Sequence, residues 1–174
     1  MVSCRKKRDY WRHVIIRASS ASYKEKFPTY KDVTVCDEWH NFQNFAEWFE
    51  QNYNPETMQG WHLDKDILVK GNKVYSPETC CFVPKEINFL FTNRKNQRGS
   101  YPIGVRPKGD KFQARINIFR KSKCLGVFNT PEEAFQAYKT AKELYIKEVA
   151  DEWKDKITQK VYEAMYRYEI KIND

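Results

Sequence analysis

The sequence predicts an α+β fold with helical segments toward both ends and short strands between them. Three features carry that prediction. Apolar residues recur at helical spacing in residues 10–15 and 39–49; residues 61–84, WHLDKDILVKGNKVYSPETCCFVP, alternate extended chain with turn signals; and three short strand-like runs precede a well-capped helix at Thr130. With 174 residues, the chain sits near the length at which one domain gives way to two small ones.

In KKRDYWRHVIIRASSASY, Tyr10, Trp11, Val14 and Ile15 lie at helical spacing among basic residues, so a first helix is expected to end near Ser19 and Ser20. After the Pro28 loop the chain alternates through Val33 and Val35. It then changes to helical period, with Trp39, Phe42, Phe45, Trp48 and Phe49 on one broad apolar face and Asp37 and Glu38 suited to the helix N-terminus. Leu63, Ile67, Leu68 and Val69 read as a strand, Gly71-Asn72 as a turn, and Val74 and Tyr75 as extended chain. Ser76-Pro77-Glu78 turns again, and a short helix begins at Val83-Pro84-Lys85-Glu86 and runs through Ile87, Phe89, Leu90 and Phe91. The polar stretch TNRKNQRGS reads as a linker.

Beyond it, YPIGVRP, KFQARINIF and KCLGVF read as three antiparallel strands, separated by Lys108-Gly109-Asp110 and the basic turn Arg120-Lys121-Ser122. Thr130 as N-cap, Pro131 at the first helical position and Glu133 closing a capping box start the helix that backs them. Ile157, Val161, Tyr162 and Met165 give the tail an amphipathic segment. The expected divisions are a core over 1–91, a linker over 92–100, a sheet-and-helix module over 101–147 and a helical extension over 148–174.

Composition narrows the function classes. Thirty-one Lys and Arg against twenty-three Asp and Glu leave a net charge of +8. The excess is concentrated in residues 5–31 and in residues 98–124, where eight bases face Asp110 alone. Such a protein suits a polyanion better than a small acidic metabolite, although a merely solvated basic surface has the same composition. No long apolar run predicts a membrane partner. The odd set of five cysteines, without paired CxxC spacing, predicts a reducing compartment. Structural zinc is not expected, because only His13, His40 and His62 exist to complete a site from Cys36 with Cys80 or Cys81.

On the middle strand, Phe112, Ala114, Ile116 and Ile118 alternate with Gln113, Arg115 and Asn117, leaving one polar, basic face. Arg, Gln and Asn can pair with guanine and adenine edges, and the flanking lysines can meet phosphates. In the earlier stretch, Asp64 and Asp66, with Asn88 on the following helix, are hard oxygen ligands that suit magnesium. Two aspartates near a Gly-Asn turn also make an ordinary polar hairpin, and the residues alone leave both readings open.

Two resemblances bear on the choice. YPIGVR, KFQARI and LGVFNTPEEAFQAY resemble the ethylene-response-factor (apetala-type) DNA-binding domain, in which three strands lie in the major groove. That implies DNA-facing roles for Arg106, Gln113, Arg115, Asn117 and Lys123, with Lys108, Lys111 and Lys121 beside them. Ile103 replaces a base-contacting arginine of the family and Cys124 a tryptophan, so its base preference does not carry over. L-D-K-D, G-N-K, Y-S-P-E-T-C and F-V-P-x-x-I-N are similar to the HNH endonuclease motif of bacteriophage and intron-encoded proteins, a ββα-metal core, and YWRHVIIR and VCDEWHNFQNF resemble the segments that precede it. An HNH core followed by an ethylene-response-factor-like domain is a phage homing-endonuclease arrangement.

Carried over, Asp64 would be the strand metal ligand and Asn88 the helix ligand, for Mg2+ or Mn2+. Lys65 falls where the family places its general-base histidine, and Thr79 where an asparagine orders the loop. Lysine is a poor base unless burial depresses its pKa strongly, so His62 and Asp66 join Asp64 and Lys65 as catalytic candidates. The resemblance implies a sequence-specific protein that nicks or cuts double-stranded DNA, in the cytoplasm of a host bacterial cell if phage-derived. The alternatives are a catalytically inactive repressor or interference factor on the same scaffold, and an RNA-binding or protein-interaction module.

Overall fold

The computed structural model describes residues 2–92, 100–118 and 121–174. It is mixed α+β and divides into two compact units, Met1–Phe89 with Lys156–Ala164 and Leu90–Asp155 with Met165–Asp174. Residues 93–99 of the expected linker, and Arg120 of the expected basic turn, lie outside the described residues. Among the described residues no helix is long and apolar enough to cross a membrane.

The first unit begins with α1 (Cys4–Ser19), whose N-cap Ser3 side chain accepts a hydrogen bond from Lys6 N. Its inner face carries Tyr10, Trp11, Val14, Arg17 and Ala18, and fastens the helix along its length. The Tyr10 hydroxyl donates to Trp61 O, Trp11 Nε1 to Trp39 O at 2.8 Å, and Arg17 Nη1 to the Tyr75 hydroxyl at 3.3 Å. A short α2 (Ala21–Lys26) and a two-residue β1 (Thr34–Val35) follow. Asp37 and Glu38 do not begin the next α-helix; they lie in a 3-10 turn, Asp37–His40. The helix α3 (Phe42–Asn52) starts one residue beyond Asn41, whose Oδ1 accepts from Gln43 N at 2.9 Å, because an Asx side chain satisfies a first-turn N–H directly.

β2 (His62–Asp64), β3 (Val74–Tyr75), β4 (Cys81–Val83) and α4 (Lys85–Leu90) complete this part of the unit. The strand-like run through Val69 stops at Asp64, since Asp64 Oδ1 captures the N–H groups of Asp66 and Ile67, each at 2.8 Å, and turns the chain out of the extended conformation. Val74 and Tyr75 do not pair with β2. They run parallel to β1, while the antiparallel partner of β2 is β4, with His62 opposite Val83, Leu63 opposite Phe82 and Asp64 opposite Cys81. Phe82 is 3% exposed, and its ring lies 5.1–5.6 Å from those of Tyr10, Trp48, Phe49 and Tyr53, joining α1 and α3 to the β2–β4 pair.

In the second unit β5 (Val105–Lys108), β6 (Lys111–Ile118) and β7 (Lys121–Phe128) form one antiparallel sheet in that order. Helix α5 (Pro131–Trp153) packs on it, and the Thr130–Glu133 capping box is present in both directions. The sheet's inner row, Val105, Ala114 and Ile116, is buried together with Ala134, Phe135 and Tyr138 of the helix. α5 continues without a break beyond residue 147 to Trp153; α6 (Gln159–Tyr166), next in sequence, belongs to the first unit as far as Ala164. The end of the chain is tied back to α5: Lys139 Nζ meets Glu169 Oε1 at 3.0 Å and Ile170 O at 3.1 Å, Ile170 N donates to Glu143 at 2.8 Å, and the Tyr166 hydroxyl donates to Asp151 at 2.7 Å.

Gly104, in YPIGVR, sets the distance between sheet and helix. Its φ is +79°, and a Cβ there would lie 2.1 Å from Tyr138 Cδ2, so both backbone conformation and space demand glycine. Gly104→Ala is expected to destabilise this unit by about 3 kcal/mol, from left-handed strain plus overpacking. Urea unfolding checks this; a midpoint equal to that of the native chain would contradict the close approach.

Candidate functional site

The strand–loop–strand–helix of residues 62–90 sets polar side chains along one face of the β2–β4 pair. His62 and Asp64 alternate along β2 and so share a face, and α4 brings Asn88 to His62, the Asn88 amide nitrogen lying 2.9 Å from His62 Nδ1. The amide can meet this ring nitrogen in two senses, with its nitrogen donating to a bare Nδ1 or its oxygen accepting from Nδ1–H. In the second sense Nε2 holds the lone pair. Burial, then the charges of Lys85 and Arg17, lower the His62 pKa and favour the neutral imidazole.

Asp64 is pushed up to about 7 by burial and by the neighbouring Asp66 carboxylate, against the opposing effect of its two backbone hydrogen bonds. A carboxylate destabilised in its charged form by burial and a like charge is one that a cation would relieve. Its oxygens are hard donors of the kind that suits a divalent ion, and His62 shares its strand face. Among the described residues no three His, Cys, Asp or Glu side chains cluster as metal ligands, so a bound ion would rely on the Asn88 amide and on water.

Lys65 has a different task. Its side chain is 9% exposed, and its ammonium donates to Asp66 Oδ2 at 2.9 Å and to Asn72 O at 3.0 Å. The Asn72 amide returns the link, donating to Lys65 O and Val74 O at 2.7 Å each. Thr79 Oγ1 donates to Val74 O at 2.8 Å and lies 3.1 Å from Ser76 Oγ. Lys65, Asn72, Ser76 and Thr79 thus fix the loop between β2 and β4, and the lysine at the expected base position serves as a loop clamp. Asp66 is drawn into the same clamp, leaving His62 as the titratable side chain in contact with Asn88.

Sequence reasoning overlooked Asn72 and Arg17. Asn72 read only as a turn residue, and nothing local marks its amide as a cross-link. Arg17, in the last turn of α1, lies over the Tyr30 ring at 5.8 Å as well as bonding Tyr75. Its tie to β3 is distant in sequence and has no periodic signature.

In the second unit, the register sorts the basic residues by face. Arg106 opposes Gln113 and Lys108 opposes Lys111. Arg115 opposes Cys124 and Asn117 opposes Ser122, and cross-strand partners point the same way. Arg106, Lys108, Lys111, Gln113, Arg115 and Asn117 therefore form one outer row. Lys121 and Lys123 do not join it: they oppose Ile118 and Ile116, residues of the helix-side face, and are exposed along the edge strand instead. A register irregularity between Ala114 and Arg115 accompanies this arrangement. Gln113 Nε2 donates to Cys124 Sγ at 3.2 Å across the outer face. Among the described residues the enclosed Arg115 Nε has no hydrogen-bond partner, an uncommon state for a buried donor.

Comparison with protein-family models, curated proteins and solved structures finds no match to the chain.

The perturbed Asp64 has a measurable sign. Its folded pKa, about 7, lies above the ordinary 3.8, so its contribution to stability is fully present below that lower value and is lost as pH rises through the folded one. With metal chelated, the native chain is expected to lose on the order of 4 kcal/mol across this window relative to Asp64→Asn. The variant keeps an oxygen for the two backbone donors. Urea midpoints at stepped pH check this; parallel pH profiles for the two proteins would show Asp64 to be unperturbed.

Proposed function

We propose that the chain is a sequence-specific double-stranded-DNA-binding protein of HNH homing-endonuclease type, which nicks or cuts DNA at the His62–Asp64–Asn88 cluster. The observation that carries this reading is the contact between the Asn88 amide and His62 Nδ1, made by a helix following two antiparallel strands, with the half-buried Asp64 on the same strand face as His62. A bound Mg2+ or Mn2+ would stabilise charge on the scissile phosphate and the leaving oxygen. Asp64 and Asn88 would hold it. His62, neutral and with Nδ1–H donated to the Asn88 oxygen, would accept a proton from water at Nε2. The outer row of the three-stranded sheet supports the binding half of the reading, since it combines side chains able to meet base edges with others able to meet phosphates.

One observation favours the second reading, a DNA-binding protein that has lost cleavage. Lys65, at the position where the resembling family has its base, is committed to Asp66 and the Asn72 carbonyl.

Cleavage separates the two. Incubated with the genomic DNA of its source in Mg2+ or Mn2+, the native protein is expected to produce new ends or nicks, and Asp64→Asn and His62→Ala none, while both variants bind as the native chain does. Sequence-specific binding without product in either metal would establish the inactive reading. Arg115→Ala is expected to weaken specific binding by about 1–3 kcal/mol and to relax preference at one base pair. Unchanged binding would remove the sheet from the interface.

A further inference from the structure

We infer that the exposed face of α1 is a second, sequence-independent contact for the phosphate backbone of double-stranded DNA, made by Arg5, Arg8 and Arg12. This rests on the DNA-binding reading above but on different residues. The basic side chains at the start of α1 divide into two sets. Lys6 and Lys7 turn inward, Lys6 to the Tyr53 hydroxyl and Lys7 to Glu50. Arg5, Arg8 and Arg12, at helical spacing, are exposed and line one shallow concavity with Cys4 and Asp9. Among the described residues none of the three pairs with a carboxylate.

Helix stability does not account for them. The first turn of α1 has no acidic residue, and Arg5, a cation in that turn, opposes the macrodipole. A polyanion would relieve that repulsion. Arg8 is also held in place, its guanidinium lying over the Phe42 ring at 5.3 Å. Residues 5 to 12 span about 10 Å of helix axis, along which a duplex presents about six phosphate charges. Three long guanidinium arms on one rigid face match such a track, each able to hold a phosphate through two parallel hydrogen bonds. Meeting the backbone, the contact adds affinity and orientation.

The test uses the full chain and a short random-sequence DNA duplex, with affinity measured over a salt series. Arg5→Gln with Arg8→Gln and Arg12→Gln is expected to weaken binding at low salt at least tenfold and to reduce the slope of log affinity against log salt by about 2–3, at roughly 0.9 per phosphate contact. The corresponding triple lysine variant should retain the native slope. Because Arg8 rests on Phe42, Arg5→Gln and Arg12→Gln are also tested singly; neither touches a ring, and each should lower the slope by about one. A native slope in the triple glutamine variant overturns the inference and leaves the sheet interface standing. A slope lost on double-stranded RNA but retained on DNA also overturns it. No DNA binding by the native chain at all would instead overturn the parent reading.

Discussion

The placement of Phe82 is the constraint on which the first unit depends. A single ring on a three-residue strand meets Tyr10, Trp48, Phe49 and Tyr53. A two-stranded pair this short has too few hydrogen bonds to persist alone, and each aromatic contact adds roughly 0.5–1.5 kcal/mol beyond the apolar area it buries. The α1–α3 layer thus holds β4 in place, β4 fixes β2, and β2 carries His62 and Asp64. Ile87, fully buried, anchors α4 by the residue next to Asn88. The cluster's geometry is set from beneath by apolar packing, which leaves its polar ends able to remain imperfectly solvated.

The loop between the two strands is rigid for another reason. It is polar and buries little, so its order comes from reciprocal side-chain to backbone hydrogen bonds, chiefly Lys65 with Asn72 and Thr79 with Val74. A buried ammonium needs such partners. Once it has them it is a strut, and its protons are not available for chemistry at the neighbouring carboxylate. The same position in the chain thus supports either a base or a brace, and in this chain the brace is built.

The sequence was most legible where local signals agreed with tertiary structure. Thr130, Pro131 and Glu133 announced α5, and the alternation of Phe112 to Ile118 announced both faces of the sheet. Legibility failed where partners were remote. Val74 and Tyr75 have strand character but nothing local to indicate that they pair with Thr34 and Val35, and the short CCFV run did not reveal itself as the partner of β2. The apolar stretch after Leu63 looked extended because its periodicity was read without the Asx turn at Asp64 that ends the strand. The resemblance puts Lys123, with Lys121 beside it, among the DNA-facing residues; only the register assigns the two to the other face. At the candidate site, residue types were readable, whereas the His62–Asn88 contact and the commitment of Lys65 depend on how the strand, loop and helix close on one another.

The central claim is that the strand–loop–strand–helix unit holds a divalent ion at Asp64 and Asn88. Titrating the isotope-labelled chain with Mn2+ while recording backbone amide resonances tests it most directly, because paramagnetic broadening is local and needs neither a DNA target nor turnover. The account predicts that signals around His62, Asp64 and Asn88 broaden first and that Asp64→Asn abolishes the effect. Broadening centred elsewhere, or none at these residues, would contradict it.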